Sequence, residues 1–294
     1  MDRSKITIIL VSYFSFFHLK RIVKELNNHK IIIVENSRDI QVKERFLNNK
    51  NINVIFPKKN LGYGAGNNLA LKNIKTRYGI ILNPDTKFTK KNMEKSLDYI
   101  KKIKNFGILL PRLEGKWSRK LFYKNKKNYI SANYKFIGKS YASGCAMIID
   151  KQKIKRKDLF DEKIFLYKEE TDLIKRCNDK KTPCYLLKNV TVKHYGTISL
   201  KTKKISELES EIFRNWHWTW SNFYFYKKHF GFFYSLAKFS RSLVSCLIKS
   251  ILFLCFDKRK HQIYYARLRG YLCSIFNQSS SFRMKTNQNN SLYS

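Results

Sequence analysis

The sequence predicts an α/β protein in which a mostly parallel, doubly wound sheet carries helices on both faces, followed by a helical C-terminal extension. Three observations lead there. Over the first 110 residues, short β-branched runs alternate with longer amphipathic ones. The short runs are apolar almost without a break, as strands buried on both faces must be. After residue 203 the short runs stop, and helix-period and aromatic segments take over.

Taken in order, KITIILVSY (5–13) is the first strand. Its apolar run of about nine residues has strand-like branching and no small-residue cleavage site, so it reads as a core strand rather than a signal peptide. Helical patterns at 16–28 and 39–49 flank the strand KIIIVEN (30–36), and INVIF (52–56) follows. A glycine-rich stretch then leads into YGIILN (78–83), and the helical pattern 90–104 precedes FGILL (106–110). Residues 112–140 are polar, basic and aromatic without a period, and are expected to be loops over the sheet. YASGCAMIID (141–150) and PCYLLKNVTVKHYG (183–196) are further strands, with a helix between them that starts in an acidic stretch and ends near Asn178. A Ser/Asn/Gln tail from 277 is expected to be disordered.

A chain of 294 residues is long enough for one large core, or for an ordinary domain with an appendage. With 43% hydrophobic residues, 22 Phe and 18 Tyr, it is not a disordered chain despite a formal net charge of +39. Only 15 of the 60 basic residues are Arg, and the bases are scattered singly and in pairs without a zinc-finger, RRM or KH pattern. No nucleic acid is therefore expected as a partner. The six cysteines form no C-x-x-C pair and have no His at metal-ligand spacing, so buried, reduced thiols of a cytosolic protein are expected.

Ligands of open α/β sheets sit beyond the carboxyl ends of the strands. The polar residues there are Ser12-Tyr13, Glu35-Asn36-Ser37, Asn83-Pro84-Asp85 and His194. Any one could end a strand merely because turns need polar residues, but four on one rim point to a ligand site. NLGYGAGNNLAL (60–71) sets Gly62, Gly64 and Gly66 ahead of a helical pattern, yet is neither G-x-G-x-x-G nor a Walker sequence. Its glycines serve either a phosphate or tight packing. Asp85, in a turn behind a buried strand, suits one-point contact with a hydrated Mg²⁺ already held by a diphosphate, or else an Asx turn. FDEKIFLYKEETDLIKR (160–176) places Asp161, Glu162, Glu169, Glu170 and Asp172 within twelve residues of a chain with 21 acids. A helix start welcomes acids at its positive end, which accounts for some of them without chemistry.

In this order VSY, VENS, NLGYGAGNNLAL, LNPDT, SGCAMIID, FDEKIFLYKEETDLIKR and KHYGTIS resemble the family 2 glycosyltransferases, in particular their rhamnosyltransferase-like branch. The resemblance covers about residues 5–200, with a weaker echo in YKKHFG (226–231). It implies the type A glycosyltransferase fold with its Rossmann-like sheet, Mg²⁺ or Mn²⁺ as cofactor, and inversion at the anomeric carbon. Carried over by position, it gives Ser12, Tyr13 and Glu35 to the nucleotide, lets Gly62 and Asn68 line the donor pocket, and makes Asp85 the metal-meeting carboxylate of a D-x-D-like motif. His194 would support the diphosphate or the metal. The pair after the aromatic is usually Glu-Asp, its second member the catalytic base, which makes Glu170 the base here. Glu35 likewise stands where the family usually has Asp, so both acids are one methylene longer. Glu169 and Asp172, three apart on a helix, are left to bind acceptor hydroxyls or to brace the loop.

FFYSLAKFSRSLVSCLIKSILFLCF (232–256) has the length to span a bilayer, but Lys238, Arg241 and Lys249 interrupt it. At about 100° per residue they share one arc of roughly 100° with Ser242 and Ser245. That arrangement predicts a helix in the interface with its basic stripe toward an anionic membrane surface; the alternative is a core-facing helix with a solvated stripe. The aromatic segment 213–233 suits the same boundary.

The expected organisation is a catalytic domain over 1–202, a membrane-associating helical region over 203–276 and a tail over 277–294. The expected protein is peripheral on the cytoplasmic face of the inner membrane. It would move a sugar, with rhamnose from a dTDP donor as one option, to a lipid-linked or growing surface-polysaccharide acceptor such as an O-antigen. Two rivals remain open at this point: a catalytically retired scaffold, suggested by Glu35 and Glu170, and a basic nucleic-acid-binding protein with an α/β core.

Overall fold

The computed structural model describes residues 5–114, 129–131, 144–155, 159–196 and 206–284. They form two compact units, one holding the described residues up to 161 and from 169 to 196, the other holding 162–168 and 206–284.

In the first unit β1 (Ile6–Ser12), β2 (Lys30–Glu35), β3 (Ile52–Ile55) and β4 (Tyr78–Leu82) pair in parallel in the order β3-β2-β1-β4. Two short strands follow the chain onward, β5 (Thr86–Lys87) and, after β6 (Ile108–Leu113), β7 (Tyr129–Ser131). Beyond β4 the sheet becomes mixed: β8 (Ala146–Asp150) is antiparallel to β4 and β6, and β9 (Cys184–His194) is parallel to β6. Both β5 and β7 pair antiparallel with β9. An apolar run does not encode its direction, so the reversal at β8 was not readable from the strand itself. The two-residue β5 is too short to show a period.

Among the described residues five helices cover this sheet: α1 (Phe16–Glu25), α2 (Ile40–Phe46), α3 (Gly62–Asn73), α4 (Lys90–Lys102) and α5 (Glu169–Asp179). Side chains alternate along a strand, so β1 feeds two cores. Ile6, Ile8 and Leu10 pack with Leu19, Val42 and Ile100 of α1, α2 and α4, while Ile9 packs with Leu71 and Ile174 of α3 and α5. The pairings also send β1, β2, β4 and β9 in one direction, so the four polar strand ends lie on one rim, as expected.

Several boundaries differ from the sequence reading. Residues 112–113 complete β6 and 129–131 form β7, while the rest of the loop expected over 112–140 lies outside the described residues. The strand expected from 141 begins at Ala146, and 141–143 also lie outside them. The acidic stretch does not begin a helix at once: α5 starts at Glu169, and just before it Tyr167 (φ 69°) and Lys168 (φ 71°) are left-handed. Such a conformation costs a side-chain-bearing residue about 1–2 kcal/mol. It persists only where the surroundings enforce it, which is common beside functional groups.

The second unit is built on α6 (Glu207–Phe230), α7 (Phe232–Phe256) and α8 (Lys258–Ile275). A capping box of Ser206 and Glu209 starts α6, Gly231 at φ 93° separates it from α7, and Asp257 caps α8. Gly270 of α8 meets α6 so closely that a Cβ there would stand 2.4 Å from the Trp216 carbonyl oxygen.

The tail boundary moves as well. Residues 277–284, expected to be disordered, pack onto α6: Trp220 Nε1 donates to the Gln278 carbonyl (3.0 Å). The two ring nitrogens of buried His217 lie 3.0 Å from Ser280 Oγ and 2.9 Å from the Phe282 carbonyl oxygen. Composition marks the segment as polar but does not show that a buried imidazole needs it. Residues 285–294 lie outside the described ones.

Burial pulls the His217 pKa down to about 3; the Phe282 carbonyl opposes this and the Arg283 charge assists. Below its ordinary pKa of about 6.5, the unfolded chain takes up a proton that the folded state refuses. Stability is therefore full above about pH 6.5 and falls as the pH drops toward 3, with a slope approaching about 1.4 kcal/mol per pH unit from this one group. Chemical denaturation across that window should show the loss, and His217→Gln should flatten it.

Candidate active site

At the ends of β1 and β2, Ser12 and Glu35 are register partners and both are fully buried. Glu35 Oε1 accepts from the Ser37 backbone N–H (2.9 Å) and from the Ser37 hydroxyl. The Ser37 hydroxyl oxygen in turn accepts from Phe14 N–H (2.9 Å), whose φ is 49°. Burial raises the pKa of Glu35, against the Ser12 and Ser37 hydroxyls and the Ser37 N–H, and the Asp39 charge adds to the rise. The carboxylate expected to meet the nucleotide is thus turned onto its own strand end, where it ties the 12–14 turn to 35–37. Tyr13 stands edge-on to Phe14, ring centres 4.7 Å apart.

Asn36 bridges this rim to the glycine-rich stretch, donating to the Gly62 carbonyl (3.1 Å) and accepting from Leu61 N–H (3.2 Å). Gly62 has φ 78°, a conformation that glycine adopts without strain. Gly66 serves packing instead, because a Cβ on it would come within 2.9 Å of Val11 Cγ1. Asn68, expected to line the donor pocket, commits its amide to the backbone of Phe160: Nδ2 donates to the carbonyl (2.9 Å) and Oδ1 accepts from N–H (3.0 Å). It holds Phe160, where the acidic segment begins.

Asp85 and His194, 109 residues apart, meet at the rim with Oδ1 3.1 Å from Nε2. Their approach follows from β5 pairing with β9, which sets Thr86 opposite His194, and from Tyr195 N–H donating to the Asp85 carbonyl (3.0 Å). Arg21 of α1 donates to the Thr86 carbonyl (3.1 Å) and lies over the Tyr195 ring at 4.7 Å. His18, one turn earlier on α1, has its pKa lowered by burial and by Arg21, against the pull of Asp85. Carboxylate, imidazoles and guanidinium therefore gather at one strand end.

Among the described residues no group of three or more His, Cys, Asp or Glu could hold a metal by itself. Asp85 and His194 nevertheless fit an ion that takes its other ligands from phosphate and water. Neighbouring ligands of an octahedral ion with bonds of about 2.1 Å lie about 3.0 Å apart, close to the separation observed here.

The acidic pair at the start of α5 divides between two surroundings. Glu169 is buried, its Cγ 3.4 Å from the position of a Cβ on Gly64 of α3. Glu170 is half-buried, and its Oε2 lies 3.4 Å from the corresponding position on Gly144. The Tyr63 hydroxyl donates to the Gly144 carbonyl; burial first, then the nearby Cys145, Glu169 and Glu170, push its pKa well up. Cys145 accepts from Asn83 N–H (2.8 Å), so the two-residue segment 144–145 touches both Glu170 and the turn that carries Asp85. Asp172 pairs with Arg176 Nε (2.7 Å), and Arg176 donates to the Leu159 carbonyl (2.6 Å). Of the two roles open to Asp172, the geometry matches bracing.

His18, Tyr63 and Gly144 were not singled out by the sequence. His18 sits inside an ordinary amphipathic helix, and Tyr63 and Gly144 gain meaning only from their bond across 81 positions and from the approach of Gly144 to Glu170, 26 positions on. Asn36 was visible at a strand end, but its bond to Gly62 was not.

A family model described as Glycosyl transferase family 2 matches residues 7–162. Among solved structures, the mannosyltransferase PcManGT from Pyrobaculum calidifontis in complex with GDP-Man and Mn²⁺ is similar at TM-score 0.55 and 8% identity, covering 94% of this chain and 88% of that one. TarS 1-349 from S. aureus in complex with UDP-GlcNAc is similar at TM-score 0.51 and 13% identity over 97% of both chains. Identities this low make the likeness one of fold. A comparison with curated proteins finds no match.

Proposed function

Because the chain belongs to glycosyl transferase family 2, we propose that it is an inverting, metal-dependent enzyme that moves a sugar from a nucleotide-diphosphate donor to a lipid-linked or growing surface glycan. Rhamnose from a dTDP donor is the first sugar to test. The meeting of Asp85 and His194 at 3.1 Å carries this reading, since it supplies a donor pair at the strand ends where a diphosphate would rest. Asp85 and His194 would hold Mg²⁺ or Mn²⁺, which supplies positive charge against the departing diphosphate.

The chain's own groups do the rest. Ser12, Tyr13 and the Glu35–Ser37 turn frame the nucleotide end, and Arg21 and His18 add positive or dipolar character near Asp85. Glu170, beside a glycine that leaves its carboxylate uncrowded, removes the proton of the acceptor hydroxyl. The freed oxygen bonds to the anomeric carbon as the bond from that carbon to the diphosphate oxygen breaks. The nucleoside diphosphate leaves with the electron pair, and one displacement inverts the configuration. Glu169, packed against α3, holds the start of α5 in place, and Asp172 fixes it through Arg176.

Purified protein incubated with a panel of nucleotide sugars should release nucleoside diphosphate from one donor class, and only with Mg²⁺ or Mn²⁺ present. If no donor turned over while oligonucleotides bound tightly with a steep salt dependence, the nucleic-acid reading would replace this one.

A further inference from the structure

We propose that α7 docks on an anionic lipid surface, lying in the plane of the interface with its outward apolar face among the acyl chains and Arg241 and Lys249 on lipid phosphates. The inference deepens the lipid-linked acceptor reading above and rests on it only for its purpose.

Only one stripe of α7 is used inside the helical unit. Ser235, Cys246 and Ser250 are buried, and Cys246 packs with Phe223 of α6 and Tyr271 of α8. On the opposite side Phe233, Val244, Ile248 and Ile251 are exposed, and Leu254 and Phe256 are exposed on its flanks. At about 100° per residue, Phe233, Val244, Ile248 and Ile251 share an arc of roughly 60° facing away from the buried stripe. A helix-long apolar face of this kind marks an interaction surface.

Two of the three cations lean back onto neighbouring helices. Lys238 Nζ lies 4.6 Å from the Tyr226 ring centre of α6, and Lys249 Nζ lies 5.1 Å from that of Tyr264 of α8. These two lysines therefore flank the seam with the neighbouring helices, while exposed Arg241 stands at the edge of the outward apolar arc, about 20° from Ile248. An apolar outward arc with cations along one edge matches a helix lying in the interface, its apolar face toward the acyl chains and its cations toward the headgroups. A hollow of about 460 Å³ on this helix is lined by Ser240, Arg241, Val244, Ser245, Ile248 and Lys249. It offers two cations and two hydroxyls to a phosphodiester, and two apolar side chains to what hangs below it.

Charge selects lipid over a second copy of the chain. No Asp or Glu occurs between Glu211 and Asp257, so pairing α7 with itself would set its cations against their own copies with no carboxylate to answer them. Packing selects the plane of the interface over a crossing. α7 is the one helix among the described residues long and apolar enough to span. It packs against α8, whose Lys258, Arg259, Lys260, Arg267 and Arg269 would be carried into hydrocarbon.

Sedimentation of the full chain with vesicles tests this. It should pellet with phosphatidylglycerol/phosphatidylcholine vesicles and at least about tenfold less with phosphatidylcholine alone. Arg241→Gln/Lys249→Gln should weaken anionic binding about tenfold or more. Ile248→Glu/Ile251→Glu should abolish it; these side chains are 57% and 64% exposed, so circular dichroism and donor turnover should stay unchanged. Equal pelleting with both vesicles, none with either, or a solution dimer dissolved by Ile251→Glu would overturn the proposal. The assay uses no donor, so a failure to pellet leaves the transferase reading standing, and an inactive chain that pellets leaves the docking reading standing.

Discussion

Asp85→Ala is expected to lower sugar transfer by about 100- to 1,000-fold, the usual cost of removing one group that stabilises charge in the transition state. The substitution should leave the fold intact. What holds the turn is backbone: Tyr195 N–H donates to the Asp85 carbonyl, Asn83 N–H to the Cys145 carbonyl, and β5 pairs with β9. The carboxylate itself contacts His194 and lies near His18, so its removal takes away the carboxylate that an ion would bind and leaves positive or dipolar groups behind. Two readouts separate this from simple damage. Residual activity should no longer rise with added Mn²⁺, and calorimetric binding of a nucleoside diphosphate should lose its dependence on the metal. Unchanged metal-dependent turnover in Asp85→Ala would remove the aspartate from the site.

For Glu170→Gln the expected result is a fall in kcat of about a thousandfold, within the range that general-base catalysis supplies, with little change in the KM for donor. The neutral amide keeps the shape beside Gly144 and cannot accept the acceptor proton. Glu169→Gln should cost far less, since Glu169 is packed against α3. Glu170→Asp is the informative companion, because it shortens the arm by the methylene that distinguishes this chain from the family's usual residue. Retained turnover in Glu170→Asp beside loss in Glu170→Gln would fix the role as that of a base. Equal turnover in Glu170→Gln and the parent chain would end the assignment and favour the retired scaffold.

Much of the candidate site was legible because its residues end strands. Ser12, Glu35, Asp85 and His194 follow apolar runs whose period and branching are local properties; parallel pairing puts the first three on one rim, and the double reversal through β8 brings His194 to it. What those side chains touch was less legible. Glu35 turns to Ser37 and Asn68 to Phe160, because a buried polar group takes whichever partner lies within reach and a one-dimensional pattern does not say which. The same limit applies to α7, where sequence periodicity found the basic stripe but not the Tyr226 and Tyr264 rings that hold its lysines.

The sequence by itself determined the types of the longer elements, the helices on both faces of the sheet and the order of the seven motifs, because apolar periods of two and 3.6 act over a few residues. Tertiary structure alone decided the reversal at β8, the left-handed pair before Glu169, the packing of 277–284 onto His217 and the contacts of the acids. Asp85 meets His194 across 109 positions and Asn68 meets Phe160 across 92. Contacts of that span are set by how whole elements pack, and no local stretch of chain carries them.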